Sequence, residues 1–334
     1  MSRRLRITVL VDTAAIPGND PEFTAAEHEP STEYEVIGAL RNLGYKASVL
    51  GAGGDIGTLV SSLKGQRPQI VFNLTEEFSG DRRLDKNIAG LLEMLGIPFT
   101  GTGPAGLMLC RDKLLCKQLL SLHRIRVPGF VSLAGNRVFR VPKTLRYPLV
   151  VKPEFEDGSE GISNASLVGN EAELKERVQF VHERWKQPVI AEEYVEGREL
   201  YVSILGNSRL VALPVRECIF DVNGEGPQIA TYRVKWNKEY REKWNIKFGF
   251  AKLDAPIVKR IWRVCRKVYR LLQMHDYGRI DIRLAPDNKV IIIEANSNPD
   301  IAYGEEVAEA AEKAGISYEK LIDRILKLAR RRYK

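Results

Sequence analysis

Two short segments near the C-terminus hold residue types that could do chemistry together: Gly278-Arg279-Ile280-Asp281-Ile282-Arg283, and Ile291-Ile-Ile-Glu294-Ala-Asn296-Ser-Asn298-Pro299. Both alternate in a strand-like way, and Ala285-Pro-Asp-Asn288 between them reads as a turn, so a β-hairpin is expected. Side chains two residues apart share a face of a strand. Arg279, Asp281 and Arg283 therefore share one face of the first strand, and Glu294 and Asn296 one face of the second. If the two faces coincide, two carboxylates, a carboxamide and an arginine converge. Oxygen ligands of this kind suit Mg²⁺, which is usually held by one or two carboxylates together with substrate phosphates. The alternative is a surface hairpin carrying cross-strand salt bridges.

Other residues point the same way. Lys152 ends the apolar strand Pro148-Leu-Val-Val-Lys-Pro153, which puts an ammonium at an edge rather than on a solvated helix face. The loop after it offers backbone amides at Gly158, Ser159 and Gly161, and glycines permit the close approach that phosphate oxygens need. Lys113, in Arg111-Asp-Lys113, reads on its own as an ordinary helix lysine. Ile190-Ala-Glu-Glu-Tyr-Val195, followed by Glu199, sets a strand edge beside a carboxylate, as an adenine and a ribose would require.

The elements that must position these residues follow from periodicity. Leu5 to Val11, Ala47 to Leu50 and Gln69 to Leu74 read as strands, and helices run from Ser31 to Leu43, Gly57 to Lys64 and Asp85 to Leu95. This alternation predicts an open parallel α/β unit over residues 1–105. A small α+β unit follows over 106–190, with helices at Arg111 to Ser121 and Glu171 to Trp185 and strands near Tyr147 to Lys152, Asn164 to Val168 and Val189 to Tyr194. Residues 191–334 form a third, α+β unit with the hairpin and a long helix from Ala255 to Met274. The polar stretch Asp221 to Gly249 reads as a mobile covering loop or as a poorly packed insertion.

Composition narrows the class. The 334 residues are 44% hydrophobic and 28% charged, an ordinary globular balance with material for real cores. The longest apolar runs are too short to span a bilayer, and the basic start leads into a strand rather than a signal peptide's apolar core. Four scattered cysteines form no CxxC pair, so reduced thiols in a cytoplasm are expected. The net charge of +8 fits a polyanionic small molecule, and much of the excess sits in the last eight residues, where cations favour a helix C-terminus. Without a recognition motif, nucleic acid is not the expected partner.

Taken in order, Asp-Lys, strand-Lys-Pro, Gly-Ser loop, Glu-Glu-x-Val, Gly-Arg-x-Asp and Glu-x-Asn-x-x-Pro resemble the ATP-grasp superfamily, and within it the D-alanine–D-alanine ligases and their kin. Leu91-Leu-Glu-Met-Leu-Gly-Ile-Pro98, Thr100-Gly-Thr-Gly103 and Gly197-Arg-Glu-Leu-Tyr-Val202 are also similar, so the likeness runs from about residue 5 to 325. It implies a three-domain ATP-grasp architecture and an ATP-dependent carboxylate–amine ligase working through an acyl phosphate. Lys113 and Lys152 would contact phosphates, with Gly158, Ser159 and Gly161 in the loop that covers them. Glu192, Glu193 and Val195 would flank adenine, and Glu199 would bind ribose. Asp281, Glu294 and Asn296 would hold two Mg²⁺ ions, with Mn²⁺ an admissible substitute. Arg279 would stabilise the acyl phosphate and tetrahedral intermediate, and Lys235 would reach the γ-phosphate. The implied partners are small-molecule carboxylates and amines, with a homodimer allowed and no membrane. A genuine cell-wall D-alanine–D-alanine ligase and a non-catalytic nucleotide-binding module are the alternatives.

The first-substrate region departs from that pattern. The stretch Asp12 to Pro30 is longer than the family's loop after the first strand and lacks its glycine pair, and Asn73-Leu-Thr-Glu76-Glu77-Phe-Ser-Gly80 replaces a His-Gly-rich segment. Glu33, Glu35 and Glu76 are candidate anchors for the first substrate. Asn298, Asp300 and Glu305 stand where the acceptor would lie. Acids there would discourage an acceptor carboxylate, since like charges about 4 Å apart repel by roughly 4 kcal/mol at an effective dielectric of 20.

Overall fold

The computed structural model describes residues 5–12, 31–133, 141–220 and 228–334. The expected Asp12 to Pro30 loop thus lies, beyond Asp12, outside the described residues, as do residues 221–227 of the expected covering loop.

Three sheets organise the chain. The first is parallel, with Arg6–Asp12 between Lys46–Ala52 and Ile70–Asn73. Ile7, Val9 and Val11 bury one of its faces, while Leu10 and Val71 bury the other. The first face packs on helix Thr32–Asn42 and also on the C-terminal helices Glu306–Lys313 and Tyr318–Arg332, so the two ends of the chain share one core.

The second sheet is antiparallel, in the order Phe130–Leu133, Val189–Glu193, Leu149–Pro153, Leu167–Val168. Helix Glu171–Trp185 covers one face through Leu174, Val178 and Val181, which meet Leu149, Val151 and Ala191. The residues between these, Lys152 and Glu192, turn to the opposite face. The expected boundary at 190 falls inside Val189–Glu193, which is hydrogen-bonded on both sides within this sheet, and the boundary at 105 falls inside helix Pro104–Arg111.

The third sheet holds the hairpin. Tyr277–Leu284 lies between Arg198–Leu205 and Val290–Asn296, with Arg216–Ile219 and Lys247–Phe250 continuing beyond Arg198–Leu205. One face is apolar: Leu200, Val202, Ile204, Ile280 and Ile282 pack with Ile261, Cys265 and Val268 of helix Ala255–Leu271. The other face carries Glu199, Tyr201, Arg279, Asp281 and Arg283.

Two expectations are corrected. Arg111 to Ser121 is not one helix: Asp112 adopts extended φ and ψ, ends helix Pro104–Arg111, and caps Lys113–Leu122 by accepting from Leu115 N at 2.8 Å. Lys113 thereby opens a helix. The Asp221 to Gly249 stretch is not a loose insertion over its described part. Helices Tyr232–Trp236 and Lys238–Lys243 and strand Lys247–Phe250 enclose a small core of Ala230, Val234 and Ile246 against Tyr201 and Cys218.

A buried carboxylate ties the chain's end to the centre. Asp276 is fully buried and accepts from Gly101 N and Asn207 Nδ2, each at 2.9 Å, with Arg332 Nη2 at 3.3 Å. Burial raises its pKa to about 6, against the opposing pull of Arg332. Arg332→Ala is expected to lower stability in urea unfolding by about 3 kcal/mol at pH 8, where an uncompensated buried charge remains. The loss should shrink at pH 5, where Asp276 takes up a proton; an equal loss at both values would show that Arg332 acts through packing alone.

Candidate active site

The hairpin faces do coincide. Asp281 pairs with Glu294 across the strands and Arg279 with Asn296. A bulge after Asp281 makes Ile282 pair with Ile292 rather than Ile293. Strict alternation would have put Ile292 on Glu294's face. The extra residue instead sends Ile292 into the core, where it is 1% exposed, and frees the Ile293 carbonyl to accept from Lys117 Nζ at 2.7 Å.

Charged groups here are buried and locked in pairs. Arg279 donates to both Asp281 oxygens at 2.8 and 3.1 Å and to Glu306 Oε2 at 2.8 Å. Lys113 Nζ lies 3.1 Å from Glu294 Oε1 and also donates to the Glu156 carbonyl. Glu192 bridges two ammonium groups, with Lys152 at 3.0 Å and Lys117 at 3.2 Å. Burial alone would raise the pKa of Glu294, but Lys113, Lys152 and Lys235 overcome it and hold the carboxyl at about 2. The same opposition leaves Glu192 below its ordinary value, with Lys117 and Lys152 prevailing over burial. Lys117 is lowered, by burial first. Asp281 is raised by burial despite Arg279.

The phosphate-type loop has the backbone that glycine allows. Gly158, Ser159 and Gly161 all have positive φ, and a Cβ on Gly161 would sit 2.4 Å from Pro153. The covering segment is zipped to this loop. Ser159 Oγ donates to the Ala230 carbonyl at 2.7 Å, Trp236 Nε1 to the Gly158 carbonyl at 3.0 Å, and Tyr232 N to the Ile162 carbonyl at 3.0 Å.

A cavity of about 1150 Å³ opens beside this cluster. Of the expected residues, Gly158, Gly161, Lys235, Arg279, Asn296, Asn298, Asp300, Glu305 and Glu76 line it, whereas Lys113, Lys152, Ser159, Glu192, Glu193, Val195, Glu199, Asp281 and Glu294 do not. Glu193 accepts from Arg146 N at 2.9 Å; Glu199 is held by Arg283 at 2.6 Å and Tyr201 at 3.0 Å. Asn298 Oδ1 accepts from Thr102 N at 2.9 Å, and Asp300 accepts from Thr32 at 2.6 Å and Ala302 N at 2.8 Å. Glu33 and Glu35 lie off the cavity wall: Glu33 accepts from Ser31 at 2.7 Å in the first helical turn, and Glu35 from Tyr303 N at 2.6 Å. Glu305 is pushed up to about 7 by burial and by neighbouring Glu306 and Asp300. Glu306 stays below its usual value because Arg279 outweighs burial.

Sequence reasoning missed Lys117, Arg111, Arg216 and the pairing role of Glu306. Arg111 spans Asp85 and Asp157, each at 2.6 Å, and Arg216 reaches Glu309 at 3.0 Å. The only available signal was the i,i+4 spacing of Lys113 and Lys117, which puts both on one helix face.

Among the described residues, no three His, Cys, Asp or Glu side chains are gathered as a metal cage. The ligating oxygens offered are those of two carboxylates, Asp281 and Glu294, and of the Asn296 carboxamide. That set fits a hard divalent ion whose remaining ligands come from phosphates and water.

The fold and site define an ATP-grasp protein. Residues 125–327 match the family described as D-ala D-ala ligase C-terminus, and the chain belongs to it. It is 32% identical over 305 residues to uncharacterized protein y4sG of Sinorhizobium fredii, covering 89% of this chain and 87% of that protein. It is also 31% identical over 243 residues to a D-alanine–D-alanine ligase of Bordetella petrii, covering 71% and 69%. The crystal structure of a Bacillus anthracis D-alanine–D-alanine ligase complexed with ATP shares the fold, with a TM-score of 0.75, 22% identity and 98% coverage of each chain. The protein is an ATP-dependent ligase of the C–N bond-forming type. No helix among the described residues is long and apolar enough to cross a membrane.

Replacing Trp236 by alanine removes one of the bonds closing the covering segment. The amide of Tyr232 should then exchange with deuterium about five- to tenfold faster, as expected for a loss of roughly 1 kcal/mol. Unchanged exchange would mean that the segment is held by its own core alone.

Proposed function

We propose that the chain activates a carboxylate with ATP and joins it to an amine. The carboxylate oxygen attacks the γ-phosphorus, forming an acyl phosphate and releasing ADP. The amine nitrogen then bonds to the acyl carbon, phosphate leaves, and the surplus amine proton passes to solvent. The facing pair Asp281 and Glu294, held between Arg279 and Lys113, carries this reading.

Lys113 and Lys152 bind phosphate oxygens, exchanging their present carboxylate partners for stronger anionic ones. Gly158, Ser159 and Gly161 cover those oxygens, and Lys235 enters from the covering segment. Glu192, Glu193 and Val195 flank adenine, and Glu199, fixed by Arg283, takes the ribose. Asp281, Glu294 and Asn296 hold two Mg²⁺ ions, replaceable by Mn²⁺, which supply charge neutralisation for phosphoryl transfer. Arg279 remains positively charged in any accessible pH range and faces the charge that develops on the acyl phosphate. Docking of the covering segment excludes water, which would otherwise hydrolyse that intermediate. The three units span residues 1–105, 106–190 and 191–334, the enzyme is cytoplasmic, and a homodimer is compatible with this scheme.

The acceptor is neutral or cationic where it meets Glu305 and Asp300, which makes D-alanine a poor second substrate. The similarity to named D-alanine–D-alanine ligases favours the competing cell-wall reading. Measuring ADP release against a panel of amino acids and amines decides between them, and efficient synthesis of D-alanyl-D-alanine would restore the second.

Glu294→Gln and Asp281→Asn should each reduce substrate-dependent ATP turnover by at least roughly a hundredfold without unfolding the protein. Near-wild-type turnover in either variant would sink the metal assignment.

Glu305 supplies a pH test. Its pKa is raised in the fold, so between about pH 4.5 and 7 the folded state binds more protons than the unfolded one, and stability falls as pH rises. Glu305→Gln should remove that decline and should also remove any gain in preference for cationic over neutral acceptors between pH 6 and 8. A preference that keeps its pH dependence in the variant would place the responsible charge elsewhere.

A further inference from the structure

The cavity continues past the reaction centre. Beyond the glycine loop its wall passes to helix Glu171–Trp185 on one side and to the two short helices of the covering segment on the other. Phe180, Tyr232 and Trp236 stand there 48%, 52% and 50% exposed, and clustered exposed aromatics mark a binding surface rather than a solvated one.

The arginines of this arm are unlike the others around the cavity. Arg111, Arg216 and Arg279 each meet a carboxylate within 3.0 Å, and Arg82 lies 3.7 Å from Glu76. Arg177, Arg184, Arg233 and Arg241 form no ion pair among the described residues. Arg177 donates to the Gly161 carbonyl at 2.7 Å and Ser166 Oγ at 3.0 Å, and Arg241 to the carbonyls of Val234 and Lys235 at 3.1 and 2.7 Å. Arg184 and Arg233 meet rings only, 5.2 Å from Trp185 and 5.8 Å from Tyr240. Among the described residues the arm has one wall acid, Glu160, which accepts from Trp185 Nε1 at 3.1 Å. Among the described residues, four guanidinium groups against one carboxylate leave a positive, aromatic-lined recess that opens into the space bounded by Lys235 and Arg279.

We propose that this arm is a subsite for an oxyanion carried on a planar ring, and that one of the two substrates extends from the reaction centre to place a phosphate or carboxylate there. Guanidinium forks bind such oxyanions through two parallel hydrogen bonds, while Trp236, Tyr232 and Phe180 offer faces for the ring. The inference rests on the ligase reading above and adds the distal chemistry of the substrate, which the acids at the inner end leave open.

The test is calorimetric titration of the full-length protein, saturated with Mg²⁺ and a non-hydrolysable ATP analogue, with phenyl phosphate, benzoate and phenol. The expected result is binding of at least one anion and none of phenol. The double variant Arg184→Gln/Arg233→Gln should weaken anion binding by roughly tenfold, about what losing one charge-assisted hydrogen bond does, with affinity for the ATP analogue held within twofold. The stronger anion tells phosphate from carboxylate. Unaltered affinity in the variant, no binding of either anion, or a parallel loss of nucleotide affinity would overturn the subsite. If the wild-type protein fails to bind the ATP analogue, the ligase reading fails instead, and the same titrations without nucleotide still judge the arm.

Discussion

A buried charge must find a partner, and the rest of this structure depends on meeting that demand. Lys113, Lys117, Lys152, Glu192, Arg279, Asp281 and Glu306 are each at most 8% exposed. Left alone, any one of them would carry a desolvation penalty of several kcal/mol. They are satisfied only in combination, because Glu192 takes two lysines, Lys113 takes Glu294, and Arg279 takes Asp281 and Glu306. The lattice joins two helices, Lys113–Leu122 and Glu306–Lys313, to the four-stranded sheet and the hairpin. A shift of any of these elements against the others would strand a charge.

Such a lattice is a poor way to gain stability, since well-packed apolar residues of the same size would commonly do as well. Its value lies in what it prepares. The ammonium groups are already desolvated and aimed, so on the proposed reading an incoming phosphate replaces a carboxylate rather than a hydration shell. Positioning before the reaction is the main resource a protein has for phosphoryl transfer. The bulge at Asp281 serves the same end by presenting Glu294 to Lys113 while the isoleucine two residues before it stays in the core.

The covering segment is part of this preparation. Its own small core, built on Val234 and Ile246 against Tyr201, gives it a defined seat on the hairpin's neighbouring strand. From that seat it reaches the glycine loop at Gly158, Ser159 and Ile162, so closure engages loop and segment together. The four unpaired arginines lie where segment and helix face each other, outside the paired lattice. The cavity thus has an inner end where cations and anions balance and an outer arm where they do not.

Much of this was legible in the residues themselves. Strand–helix alternation predicted the parallel unit, and a period of two predicted the hairpin and the shared faces of Arg279 with Asp281 and of Glu294 with Asn296, because that period survives in a sheet that buries one side. The order of motifs pointed to the family, which the comparison bears out. What one dimension could not show was any relation that depends on packing. A bulge is invisible in Ile291-Ile-Ile, since three isoleucines fit either face. The break at Asp112 looks helical until its side chain turns to cap the next helix. Glu33 and Glu35 read as candidate anchors; helix Thr32–Asn42 sets Glu33 against the Ser31 hydroxyl and Glu35 against the Tyr303 backbone N–H, off the cavity wall. Lys117 has the composition of a solvated lysine, and only the approach of Glu192 and the Ile293 carbonyl, 75 and 176 residues away in sequence, makes it part of a site. Sequence determined which residues carry charge and which face of an element they share. Tertiary structure decided which charges meet, because electrostatic pairing acts through space and is enforced only where water has been removed.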